Sequence, residues 1–190
     1  ADIVLGSITE MMYVLTPEQL KKGACHVNIG KGMTTITVVH SGKIVSSVSL
    51  STGGQDVTKH ISENLKIDEP LAEMLKLNFG KVCSESSSTE IIYADEVEGQ
   101  FTCITRQMLS DSLTIKYENI LKLVKQYLME NCYKYDQMDY IFTGGASEID
   151  GLSTLAKKIF HQEVPICTPM MLGARRDKYV KLIGMATFIH

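Results

Sequence analysis

Residues 25–39 read CHVNIGKGMTTITVV, two runs of strand-type residues on either side of a turn made of Gly30, Lys31 and Gly32. A third run of the same kind follows, and the three predicted strands of this meander span residues 24–30, 33–40 and 43–50. Glycine-rich turns of this type often bring backbone N–H groups against an anion. The question is therefore what a charged Lys31 does at the centre of such a turn.

The composition is that of an ordinary soluble globular protein. The chain has 190 residues, of which 44% are hydrophobic and 22% charged, so it can bury its own core. Its net charge of −3 offers no general attraction to phosphate backbones, and we predict no nucleic-acid partner. The five cysteines are scattered and form no C-x-x-C pair, which favours a reducing cytoplasm over a disulfide framework or a zinc site.

The rest of the chain alternates helical and strand patterns. Helices are expected after the glycine pair at 53–54 and over 70–79, the second one ending at Gly80 as a C-cap. A polar loop at 84–89 then precedes a predicted hairpin with strands EIIYA and QFTCI. The later elements are a long amphipathic helix, a buried strand, a helix, a short strand VPICT and an apolar C-terminal helix, at 110–131, 139–143, 152–160, 164–168 and 180–188.

The order of these motifs resembles the FtsA family of bacterial cell-division proteins, within the actin/Hsp70/hexokinase superfamily. The resemblance covers nearly the whole chain, and its most specific feature is the combination and order of the motifs, since each alone would be weak. The matching stretches are residues 1–23, 28–61, 72–80 and 141–166.

This resemblance implies an α/β, actin-like (ribonuclease H-like) domain: a mixed sheet flanked by helices, with a small inserted α+β lobe. It implies that residues 1–61 and 110–190 form subdomain 2A and that residues 62–109 form the inserted subdomain 2B. By the same resemblance, a first domain is expected before residue 1. A membrane-binding helix is expected after residue 190, so that the chain would be a fragment of a longer protein.

The hairpin is where the chain departs from the family. At positions 28–35 the family reads Asp-Ile-Gly-Gly-Gly-Thr-Thr-Asp, whereas Asn28 and Thr35 replace the two acidic residues here. The resemblance implies that this turn holds the phosphates of ATP with Mg²⁺, through Gly30, Lys31, Gly32, Met33 and Thr34. Lys31 either substitutes for the charge of the metal or blocks the space, and a hairpin turn that binds no nucleotide is the alternative.

Two further segments resemble nucleotide contacts. Gly144, Gly145 and Ala146 follow a strand and correspond to the family's adenosine motif, although small residues are also common in a tight strand-to-helix turn. Glu73 and Lys76 correspond to positions that reach the ribose and adenine, and a solvated i, i+3 charge pair is the alternative. No catalytic residue and no metal site is predicted.

The resemblance implies a cytoplasmic adaptor at the inner face of the membrane at the division site, which tethers FtsZ filaments to that membrane and self-associates into actin-like filaments. The C-terminal tail of FtsZ would bind subdomain 2B, with Arg106 as a partner-binding residue. A kinase or active ATPase of the superfamily is an alternative, which Asn28 and Thr35 disfavour because neither can act as a carboxylate base. An actin-like adaptor of pilus assembly is a third interpretation.

Overall fold

The computed structural model describes residues 6–83, 89–97, 100–132 and 134–167. The predicted C-terminal helix at 180–188 and nearly all of the polar loop at 84–89 lie outside these residues. None of the helices within the described residues combines the length and the apolar composition of a membrane span.

The elements follow the order that the sequence predicts, with two helices before the meander. The helices are α1 Gly6–Val14, α2 Pro17–Lys22, α3 Gly54–Leu65, α4 Glu69–Phe79, α5 Arg106–Asn131 and α6 Leu152–Phe160, with a 3₁₀ turn at Tyr135–Gln137. The strands are β1 Ala24–Ile29, β2 Thr34–His40, β3 Lys43–Leu50, β4 Ile91–Val97, β5 Gln100–Thr105 and β6 Asp139–Thr143. The three strands of the meander agree with the prediction to within one residue.

The main sheet is mixed and has the order β3-β2-β1-β6. β1 pairs antiparallel with β2 and parallel with β6, and β3 pairs antiparallel with β2 at the edge. Successive residues of β1 point to opposite faces, and both faces are buried. Cys25, Val27 and Ile29 pack into the larger core with α3, α5 and α6, whereas Ala24 packs into a smaller core with α1.

The hairpin of β4 and β5 forms a separate two-stranded sheet. It leads directly into α5, which begins at Arg106 rather than at the predicted residue 110. The helix begins there because Thr105 is its N-cap, with the side-chain hydroxyl accepting a hydrogen bond from the backbone N–H of Met108 at 3.3 Å. The subdomain boundaries stay a prediction, and both of them fall within helices, α3 and α5.

One local expectation is wrong, and another is confirmed with a different backbone geometry. The predicted strand VPICT forms one parallel bridge, between Phe142 and Ile166, within its described residues. Gly80 is the C-cap of α4 as predicted, with its N–H donating to the carbonyl oxygen of Lys76, and its φ of −66° lies outside the left-handed region. Glycine is required there by close packing instead, because a Cβ would lie 2.2 Å from the carbonyl oxygen of Lys76 and 2.5 Å from Ile149.

Candidate functional site

A cleft of about 790 Å³ lies where α3, α4, α5 and the loop after β6 meet. Five of the ten predicted nucleotide-site residues line it, although they come from three distant parts of the sequence. They are Lys31, Glu73, Lys76, Gly145 and Ala146. The fold therefore brings the β1–β2 turn, α4 and the loop after β6 to a single cavity.

The backbone of the hairpin turn packs on the beginning of α3. The N–H groups of Gly54 and Gln55 donate to the carbonyl oxygens of Gly30 and Lys31, at 2.9 and 2.7 Å. Gly53 precedes the helix, and a Cβ there would lie 2.6 Å from the carbonyl oxygen of Gly30. Two N–H groups at the N-terminus of α3 are thus satisfied by the hairpin, while the exposed Lys31 side chain faces the cleft.

Four other residues predicted in this turn do not line the cleft. Gly30 donates its N–H to the carbonyl oxygen of Met33 at 2.9 Å, which closes the turn. Thr34 is buried, and its hydroxyl donates to the carbonyl oxygen of Thr52 at 2.8 Å. Met33 is exposed, and Gly32 has no atom near its would-be Cβ. Their observed contacts are those of a well-formed turn.

Asn28 and Thr35 face each other across the β1–β2 ladder, and both form polar contacts within the protein. The Asn28 amide donates to the two carboxylate oxygens of buried Glu10, at 2.8 and 2.9 Å, and lies 3.1 Å from the Thr143 hydroxyl. The Thr35 hydroxyl lies 3.1 Å from that of Ser49. Neither residue lines the cleft, and neither offers it a carboxylate.

Glu73 and Lys76 on α4 form an ion pair at 2.6 Å inside the cleft. The Lys76 ammonium also donates to the Thr58 hydroxyl at 2.7 Å and to the Gly54 carbonyl oxygen at 2.9 Å, and Thr58 contacts the Glu73 carboxylate. Burial raises the pKa of Glu73, but hydrogen bonds from Lys76 and Thr58, with the charges of Lys76 and Lys31, lower it below its ordinary value. Glu73 is therefore ionised near neutral pH.

The two glycines after β6 have different roles. Gly144 has a φ of +101°, and a Cβ there would lie 2.3 Å from the carbonyl oxygen of Ile29, so this position requires glycine. A Cβ on Gly145 would meet no atom within 4 Å. Gly144 therefore serves packing of the turn against β1, and Gly145 leaves open backbone at the cleft.

Comparison with known proteins identifies the family. The family model described as "Cell division protein FtsA" matches residues 25–184. The chain belongs to the FtsA family. It is 26% identical to the FtsA of Bacillus subtilis over 189 residues, which is 98% of this chain and 43% of that protein. The chain thus spans less than half the length of this relative, with the predicted family confirmed.

Solved structures show that this FtsA-family chain has an actin-like fold. The structure of MreB5 of Spiroplasma citri bound to ADP matches 98% of the chain and 59% of that protein, with a TM-score of 0.78 and 19% identity. The PilM–PilN complex of type IV pilus biogenesis matches 99% of the chain and 52% of that protein, with a TM-score of 0.72 and 12% identity. Both likenesses concern the fold, and the predicted fold class is confirmed.

Sequence reasoning missed other residues that line this cleft of the FtsA-family chain. Thr58 lies one helical turn after Gly54, a spacing that places both on one face of α3. Tyr117 of α5 is almost fully buried, and its hydroxyl donates to the carbonyl oxygen of Ala146 at 2.7 Å. Burial, with the nearby Glu73 charge, raises the pKa of Tyr117, so it stays neutral. From sequence alone Tyr117 cannot be distinguished from a core residue.

Arg106, the predicted partner-binding residue, lies at the start of α5 and away from the cleft. Its guanidinium donates to both carboxylate oxygens of Glu90, at 2.6 and 3.1 Å, and lies 5.5 Å from the centre of the Phe79 ring. Its backbone N–H also donates to the Glu90 carbonyl oxygen at 2.9 Å. Arg106, the residue after β5, is therefore bonded to Glu90, the residue before β4.

Proposed function

We propose that this protein is a cell-division adaptor that binds the C-terminal tail of FtsZ and tethers FtsZ filaments to the cytoplasmic membrane. Membership of the FtsA family, over residues 25–184, is the observation that carries the proposal. Self-association into actin-like filaments is part of the same proposal, and the actin-like fold supports it.

The surface proposed for the FtsZ tail is the β4–β5 hairpin with the first turn of α5. Three large apolar side chains are exposed there: Ile91 on β4, Phe101 on β5 and Met108 on α5, with Phe101 67% exposed. Exposed apolar side chains on a small lobe provide a contact surface for the apolar side chains of an extended or helical peptide.

We also propose that the cleft binds an adenine nucleotide, ATP or ADP. Supporting this, the cleft combines a cationic side chain, Lys31, with open backbone at Gly145 and a buried hydroxyl, Tyr117. The solved MreB5 relative in fold is described as bound to ADP. Hydrolysis is disfavoured, because Asn28 and Thr35 replace the carboxylates that would place an attacking water.

The tail proposal is tested by fluorescence anisotropy of a labelled C-terminal FtsZ tail peptide, titrated with the complete gene product. Saturable binding is expected for this peptide and no binding for a scrambled peptide. The variant Phe101→Ser should weaken binding about tenfold, because an interface anchor is lost. Met129→Gln is the matched control: Met129 is 57% exposed on α5, about 30 Å along the helix from Met108.

Equal binding of the tail and scrambled peptides would overturn the adaptor proposal. An equal loss of affinity for the tail peptide in Phe101→Ser and Met129→Gln would instead show that the β4–β5 hairpin is not the docking surface.

A further inference from the structure

Lys31 is the cation of the cleft that is available for an anion. Among the described residues, two lysines line the cleft, Lys31 and Lys76. The ammonium of Lys76 already contacts Glu73, Thr58 and Gly54. Within the described residues no carboxylate forms an ion pair with the Lys31 ammonium, whose charge acts on Glu73 from a longer distance. The remaining charged groups at the cleft are carboxylates, on Glu69, Glu73, Glu148 and Asp150.

An anion in the cleft depends on the Lys31 side chain, because the nearby backbone donors are already hydrogen-bonded within the protein. The N–H groups of Gly54 and Gln55, which would otherwise point out of the N-terminus of α3, donate to the hairpin carbonyls. An anion in the cleft therefore finds these two helix donors occupied. Carboxylates outnumber ammonium groups among the residues that line the cleft. An anion bound there must therefore lie close to Lys31.

The hairpin does not fit Mg²⁺. Magnesium in nucleotide sites is held by one or two carboxylates together with the phosphates of the ligand. The Asn28 amide is engaged by Glu10 and the Thr35 hydroxyl lies against Ser49, so neither residue supplies a carboxylate oxygen.

We infer that the Lys31 ammonium supplies the positive charge that a divalent cation would otherwise bring, so that nucleoside di- and triphosphates bind in the cleft without Mg²⁺. This inference rests on the proposed nucleotide site and adds to it a mode of charge neutralisation. A Lys ammonium binds phosphate as a point charge, and such charge-assisted contacts are stronger than neutral ones.

The test is isothermal titration calorimetry of ADP into the complete gene product, once with MgCl₂ and once with EDTA. The wild-type dissociation constants in the two buffers should agree within about threefold. Lys31→Gln should bind about tenfold more weakly than wild type in EDTA. The backbone of Lys31 is not in the left-handed region, so glutamine fits there without strain. Lys59→Gln on α3 removes the same charge outside the cleft and should match wild type in both buffers.

Three other results would overturn the inference, and they can be told apart. Binding that requires MgCl₂ would overturn the role of Lys31 and leave the nucleotide site intact. The absence of ADP binding in both buffers would overturn the nucleotide site as well. Tighter binding by Lys31→Gln would show that the lysine fills the space of the ligand.

Discussion

The ammonium nitrogen of Lys76 on α4 lies 2.9 Å from the carbonyl oxygen of Gly54 on α3 and donates a hydrogen bond to it. The same ammonium holds Thr58 on α3 and Glu73 on its own helix. Its side chain is only 10% exposed. Lys76 therefore ties α4 to the beginning of α3, whatever the cleft binds.

Replacing Lys76 should destabilise the protein even without a ligand. Hydrogen bonds to charged groups contribute about 1.5–3 kcal/mol each, so we expect Lys76→Met to lower the free energy of unfolding by about 2 kcal/mol. Lys59→Met is the control, since its exposed pair with Glu63, at 3.9 Å, should contribute less than about 0.5 kcal/mol. Urea denaturation of the 190-residue chain measures both, and equal losses would contradict the structural role of Lys76.

The contribution of Glu73 should depend on pH. Its pKa is lower in the folded protein than the ordinary 4.5, so its stabilising effect is present above pH 4.5 and is lost as the pH falls through the folded pKa. Because the Glu73 side chain is 45% exposed, Glu73→Gln should cost no more than about 1 kcal/mol at pH 7. Urea denaturation from pH 7 to pH 3 should show this difference shrinking, and a constant difference would count against the ion pair as its source.

Substitution by alanine should affect stability strongly at one of the two glycines after β6 and hardly at all at the other. Gly144→Ala places a Cβ against Ile29 at a positive φ, and we expect a loss of at least about 2 kcal/mol in the free energy of unfolding. Gly145→Ala should change stability by less than about 0.5 kcal/mol, because the space is open. Gly145→Ala should weaken ADP binding if the nucleotide approaches the backbone of Gly145. Unchanged ADP affinity would place the ligand elsewhere.

Arg106 should influence the proposed binding of the FtsZ tail by supporting the β4–β5 hairpin. Since the Glu90 carboxylate lies 2.6 Å from its guanidinium, Arg106→Ala and Glu90→Gln each weaken the same side-chain contact at one end of the β4–β5 hairpin. We expect both variants to weaken tail binding to a similar extent, about threefold. Anisotropy titrations as above make the comparison. A loss in Arg106→Ala with unchanged binding in Glu90→Gln would instead indicate direct contact between Arg106 and the peptide.

The sequence predicts the meander well because its signals are local. The β-branched residues and the Gly30–Lys31–Gly32 turn predict β1 and β2 without reference to the rest of the chain. The start of α5 is missed because Thr105 serves as N-cap at the end of a strand pattern, and the hydrophobic periodicity becomes clear only several residues later.

The site is predicted less completely, because its contacts join distant segments. Lys31 and Glu73 carry signals that a sequence can show, a charge in a glycine turn and an i, i+3 pair. The connection from Lys76 to Gly54 spans 22 residues, and no local pattern reports it. The partner of Asn28 is likewise remote, since Glu10 lies on α1, and this contact explains why an amide suits the position.

Asn28→Asp, which would return the family's acidic residue to the hairpin, should destabilise the protein. The Asn28 amide donates to both carboxylate oxygens of buried Glu10, so an aspartate would place two carboxylates in contact. Like charges in contact repel each other, and we expect the free energy of unfolding at pH 8 to fall by about 1–3 kcal/mol. The loss should decrease as the pH falls towards 5, because protonation of either carboxyl group removes the repulsion.

The double variant Glu10→Gln with Asn28→Asp exchanges the two groups and should restore much of this stability, because the glutamine amide can donate to the new aspartate. A double-mutant cycle measured by urea denaturation at pH 8 and pH 5 isolates the interaction between the two positions. Additive effects of the two substitutions would show that Glu10 does not determine the residue at position 28. If the exchange restores stability, the hairpin lacks its acidic residue because α1 already carries the carboxylate.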